Sequence, residues 1–166
     1  MRTIEDLCDR AFDAVSYGYW LAHARKNEPE AAAMTAAARS EFATLLQRLE
    51  KELGDREFFC GTLSIADVAA ICYVPAAGAM EIGVDNTPRL KQWTGRMRGI
   101  PAVAADHRRL VKALAGDHDI SSEFEGPDGR IHWRDSRLEW PVRRGFIDLI
   151  AREYRAGRMM FPPDAA

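Results

Sequence analysis

A chain of 166 residues, 47% hydrophobic and with a formal net charge of −2, can bury one sizeable core and has too little positive charge for a polyanion-binding surface. No window approaches the ~18 consecutive apolar residues of a membrane span, and the acidic, amphipathic start Met1-Arg2-Thr3-Ile4-Glu5-Asp6 is unlike a signal peptide. Cys8, Cys60 and Cys72 are odd in number, fall in helical or buried contexts, and read as reduced core residues of a cytoplasmic protein.

The pattern predicts a first helix from Thr3, with Asp6 completing a weak capping box. Ile4, Leu7, Cys8, Ala11, Val15, Gly18, Tyr19 and Ala22 form its inner stripe; Phe12, Ser16, Trp20 and His23 form a neighbouring one. A helix with two apolar faces needs two partners: either a large core, or a face turned to another domain, a subunit or a ligand. Asn27 is the expected cap of a second helix, with Pro29 in its first turn. Met34, Ala38, Phe42, Leu45, Leu46, Leu49 and Leu53 form that helix's stripe, and Gly54 ends it. The two should form an antiparallel hairpin.

Phe58-Phe59-Cys60-Gly61-Thr62-Leu63-Ser64-Ile65-Ala66-Asp67 reads as a loop entering a third helix, with Ser64 and Asp67 as a capping box. Ile65, Val68, Ala69, Cys72, Ala76, Ala79 and Met80 recur at helical spacing, and the remaining positions are mostly apolar or small. This pattern predicts the central helix, buried on every side, with a bend at Pro75 and a stop at Gly83. Thr87-Pro88 then opens a helix with Leu90, Trp93 and Met97 inward, and Gly99-Ile100-Pro101 separates it from a fifth helix carrying Val103, Leu110, Val111 and Leu114.

From Gly116 the character changes. Residues 124–133 suggest a turn or small hairpin, and Ser136-Arg137-Leu138-Glu139 a capping box that opens a helix with Leu138 and Val142. Phe146, Leu149, Ile150 and Tyr154 resume a stripe that Gly157 stops, and Met159-Met160-Phe161-Pro162-Pro163 is an apolar tail. Charge is uneven: residues 1–129 carry 15 Lys+Arg against 20 Asp+Glu, and residues 130–166 carry 8 Arg against 5 acids. Blocks of opposite sign can dock one segment on another.

Gly61-x-x-Ser64-Ile65-Ala66-Asp67, then Pro88-x-Leu90-x-x-Trp93 and Arg96-Met97-x-x-Ile100-Pro101-Ala102-Val103, resembles the C-terminal helical domain of the cytosolic glutathione transferases over roughly residues 3–115. The resemblance implies an all-α bundle around a buried central helix, residues 1–117, with a C-terminal extension, residues 118–166, packed on it. It implies that Ser64 and Asp67 are a structural cap. In the family, glutathione is activated by a thioredoxin-like half ahead of the helical one. With the first helix beginning at about residue 3, that half is expected to be absent, no catalytic residue carries over, and glutathione is a co-substrate only where such a half is supplied.

The helical half of the family contributes the wall of the electrophile pocket and part of the subunit contact; here the candidates are Phe12, Tyr19, Trp20 and His23. The expected partners are a second copy or a thioredoxin-like domain, with no nucleic acid and no membrane. The alternative is a free-standing helical module for protein association. The histidines lack ligand-pair spacing, so no metal is expected; Asp117-His118-Asp119 reads as a solvated loop. Phosphate-binding glycine loops and nucleophile motifs are missing, and Arg108-Arg109 and Arg143-Arg144 read as helix surface rather than an anion site.

Overall fold

The computed structural model describes residues 2–83, 85–114, 131–133 and 135–160, with backbone alone for 110–114, 131 and 132. It is all-α apart from two short strands among the described residues. The first rod starts as Arg2–Asp6 (α1), runs through a π-helical segment, Leu7–Phe12, and continues as Asp13–Ala24 (α2). At the join the Asp13 amide reaches the Cys8 carbonyl, five residues back. The wider turn shifts the side-chain stripe: Ala11 is half-buried and Phe12 takes the core position.

Helix α3, Ala31–Leu53, returns along α2. Its predicted stripe is buried from Met34 to Leu53, and Gly54 ends it at φ 57°, an angle that favours glycine. Asn27 is not its cap. The segment 25–30 forms turns and bends, and the helix starts at Ala31, after Glu30, three residues later than a cap at Asn27 would start it. Helix α4 is Ile65–Ile71, α5 Ala76–Ala79, α6 Pro88–Arg98 and α7 Pro101–Leu114. Pro75 has no amide to continue α4, and the chain passes through a turn at 72–75 before α5. Glu50 of α3 caps α6 across the fold: its carboxylate accepts the Arg89 amide at 3.0 Å and the Leu90 amide at 2.8 Å.

Helix α2, not the 65–80 stretch, is the one enclosed on three sides. Ala14, Val15, Tyr17, Gly18, Tyr19, Leu21 and Ala22 are all buried. Helix α3 covers one side, and the 65–80 stretch runs along another, Phe12 stacking on Tyr73 at 5.8 Å and the Tyr19 hydroxyl donating to the Ala79 carbonyl at 3.1 Å. In α4 the inward face is Ala66, Asp67 and Ala70, followed by Val74, Ala77 and Met80, while Ile65 and Val68 are 54% and 46% exposed. The stripe is offset by one position because small alanines permit the closer approach. Cys8 is buried, but Cys60 and Cys72 are exposed, so only the first is a core cysteine.

A third side of α2 is covered by α8, Asp135–Arg143. The ring of Trp140 lies where a side chain on Gly18 would stand, 2.3 Å from an ideal Cβ position, so only glycine admits it. Helix α9, Ile147–Arg155, follows a turn at Gly145. Ser136 lies inside α8, after Asp135, so it is not the cap; Trp140 points inward and Val142 is exposed. In α9, Leu149 and Glu153 are buried and Tyr154 is exposed. Strand β1, Ile131–His132, pairs in parallel with β2, Met159–Met160, and α8 and α9 form the crossover that parallel pairing requires. Residues 124–130 of the expected hairpin, Asp117-His118-Asp119, and the tail from Phe161 lie outside the described residues.

Opposite charges line this seam. Arg137 donates twice to Asp13, both at 2.7 Å. Glu41 accepts the Trp140 indole at 2.8 Å and the guanidiniums of Arg143 and Arg144; the arginine pair that read as bare surface holds this carboxylate. Arg152 meets Glu28 and Glu30. The fully buried Glu153 accepts from Arg25 and Arg158, each through two nitrogens.

Candidate functional site

Two surfaces bear on function. The first is the far end of α2. Tyr19 is buried, its hydroxyl engaged by Ala79. Trp20 is half-buried and stands edge-on to Tyr19 at 5.2 Å and to the exposed His23 at 6.3 Å. These three make one aromatic file. Phe12 is separate: it has no exposed surface and packs edge-on to Phe42 at 4.9 Å. The file offers ring faces and one imidazole but no nucleophile with a base beside it. Among the described residues no group of three or more His, Cys, Asp or Glu is placed to hold a metal ion.

The second surface is the start of α4. The fully buried Asp67 is the junction of this region. One carboxylate oxygen accepts the Phe59 amide at 3.0 Å and the Trp93 indole at 2.9 Å; the other accepts the Ser64 amide at 3.0 Å and the Ser64 hydroxyl at 2.9 Å. The Ser64 amide bond is the return limb of a capping box. Four donors on two oxygens anchor the loop, α4 and α6 to one buried charge. Beside it Leu63, Ile65 and Val68 project from the surface, 49%, 54% and 46% exposed, with Cys72 one turn further. Sequence periodicity placed Ile65, Val68 and Cys72 in the core. A run apolar on both faces does not say which face is inside.

Cys8 and Cys72 are not activated thiols. Burial pushes Cys8 up to about 12, with Asp9 and Cys72 adding to the effect, and burial also raises Cys72. Burial raises the Tyr17 phenol despite the Arg137 guanidinium 4.7 Å over its ring.

Residues 30–96 match the family model described as glutathione S-transferase, C-terminal domain. That stretch of the chain is similar to the glutathione transferase C-terminal domain. A curated glutathione S-transferase U27 of Arabidopsis thaliana is 36% identical over 74 residues, covering 40% of this chain and 33% of that protein. The chain thus spans about a third of the length of the curated relative it matches. No solved structure matches it at a significant level. The matched stretch holds α3, the Asp67 junction and the exposed Leu63, Ile65 and Val68; the Tyr19–Trp20–His23 file precedes it and the α8–α9 segment follows it.

Proposed function

We propose that the chain is the helical half of a glutathione transferase-like protein, residues 1–117 forming the helical domain and residues 118–166 an extension packed on it. Tyr19, Trp20 and His23 form the wall of the electrophile pocket, without Phe12, which is buried apart from them. Leu63, Ile65 and Val68 receive the partner, a thioredoxin-like domain or a second copy in a homodimer. The observation that carries this reading is that exposed stripe, next to a fully buried capping carboxylate and inside the stretch that matches the family. Contiguous exposed apolar side chains mark interaction sites.

Glutathione enters as co-substrate only where a thioredoxin-like half supplies the group that activates its thiol. The chain's own raised thiols stay protonated near neutral pH. The free cysteines support a cytoplasmic setting. No described helix is long and apolar enough to cross a membrane. The second reading, a free-standing interaction module, is favoured by the same stripe and needs no pocket.

Glutathione conjugation to chlorodinitrobenzene, measured with the chain alone and with a thioredoxin-like half added, tests the proposal. The expected result is no rate above the uncatalysed one for the chain alone, and a rate when the half is added. Conjugation by the chain alone that scales with protein and survives repurification overturns it. Binding of the added half without activity leaves the interaction module.

A further inference from the structure

We propose that the cleft where α8 crosses the π-helical segment binds a small zwitterion of the amino-acid or dipeptide class, its carboxylate on Arg10 and Arg143 and its ammonium on Glu139. The cleft is an open cavity of about 190 Å³ at the junction of the first rod, α3 and α8. Pockets for drug-sized ligands run to ~300–1,000 Å³, so the occupant is small. Ala11, Ala14, Ser136 and Trp140 complete its lining.

Its charges are the reason for the assignment. Along the rest of the seam Arg137, Arg144, Arg152 and Arg158 each hold a carboxylate. In the cleft, by contrast, neither Arg10 nor Glu139 carries an ion pair or hydrogen bond among the described residues, and they do not pair with each other. Glu41, the other carboxylate of the lining, is occupied by the Trp140 indole and two arginines. Arg143 gives one amino group to Glu41 and is 60% exposed. Two arginines and two carboxylates therefore line one small space, with Glu41 engaged and Arg143 partly so, which leaves Arg10 and Glu139 as the unpartnered pair of opposite sign. A simple anion there meets Glu139, and a simple cation meets Arg10 and Arg143. A molecule carrying both charges at its two ends satisfies all three. Arg10 and Ala11 belong to the π-helical segment, a distortion that recurs at functional sites.

The Trp140 indole N–H, hydrogen-bonded to Glu41 beneath the cleft, is a local reporter. Nuclear magnetic resonance titration of the whole chain with glycylglycine is expected to shift that resonance saturably and to leave the Trp93 indole, bonded to Asp67, unmoved. N-acetylglycylglycine, which lacks the ammonium, and glycylglycinamide, which lacks the carboxylate, are expected to give no saturable shift. Arg10→Gln and Glu139→Gln, both at exposed positions, should each weaken glycylglycine binding about tenfold with the helical signal unchanged. No saturable shift, equal shifts with the capped peptides, or binding indifferent to both substitutions overturns the proposal.

Discussion

The junction at Asp67 and the seam under α8 and α9 are both organised by buried or half-buried carboxylates, and they use them differently. Asp67 is surrounded by neutral donors: two backbone amides, a hydroxyl and an indole. The seam carboxylates Asp13, Glu41 and Glu153 face guanidiniums. At the junction the bonds from Phe59 and Trp93 are fully buried and those from Ser64 partly so, and all four come from neutral donors. At the seam the ion pairs are partly open to water, where such pairs contribute only ~0–1 kcal/mol each. Trp133 and Trp140, buried beneath them, each remove ~150–250 Å² from water. At ~25 cal/mol/Å² that is an upper bound of about 4–6 kcal/mol apiece. The aromatics dock the segment and the charges set where it docks.

The largest effect is expected at the junction. Asp67→Ala leaves the buried Phe59 amide and Trp93 indole without an acceptor, at about 1–3 kcal/mol for each orphaned group. A urea midpoint within error of wild type would remove the junction's special status. Glu153→Gln comes next, because it strips the charge that holds Arg25 and Arg158. Breaking a fully buried pair costs about 3–5 kcal/mol, and partial exposure of both arginines, 15% and 37%, lowers the expectation to about 2 kcal/mol. The loss should appear as faster amide hydrogen exchange in α8 and α9 before α3; uniform exchange across the molecule would merge the two regions into one unit.

Acid sharpens the same contrast. Burial opposes ionisation of Glu153, but hydrogen bonds from Arg158 and Arg25 outweigh it and hold the carboxyl below its ordinary value of 4.5. At Glu41 burial is likewise overcome, by Arg144 and the Trp140 indole. A depressed folded pKa gives stability that is present above 4.5 and is lost as pH falls below it through the folded value. Seam protection factors, from which the intrinsic pH dependence of exchange is divided out, should therefore fall below that pH and stay flat above it through neutrality.

Gly18→Ala is expected to be smaller. Alanine gains about 1 kcal/mol of helix propensity, but its methyl meets the ring of a Trp140 tethered to Glu41, and overpacking costs about 1–3 kcal/mol. The net loss should be about 1 kcal/mol and confined to α8, visible as a red shift of Trp140 emission. The smallest effect is at the exposed stripe: Val68→Thr should change stability by no more than about 0.5 kcal/mol. As a core valine it would have cost more, so the denaturation midpoint decides which face of α4 is inside.

The local elements were legible in the sequence. The α3 stripe from Met34 to Leu53, the Thr87-Pro88 start of α6 and the stops at Gly54 and Gly157 follow from helical period and turn chemistry within a few residues. The aromatic file of α2 was visible as a stripe, but Phe12 left it because a π-turn resets the phase. What only the tertiary structure decided was orientation and long-range pairing. Ala66 and Ala70 face inward, past the larger Ile65 and Val68, because close helix packing favours small side chains. Glu153 is inside and Tyr154 outside because Arg25, 128 residues away, supplies the charge that makes burial tolerable. Glu50 caps a helix 39 residues on. A periodic pattern records which side chains are apolar; it does not record which partner a distant segment brings.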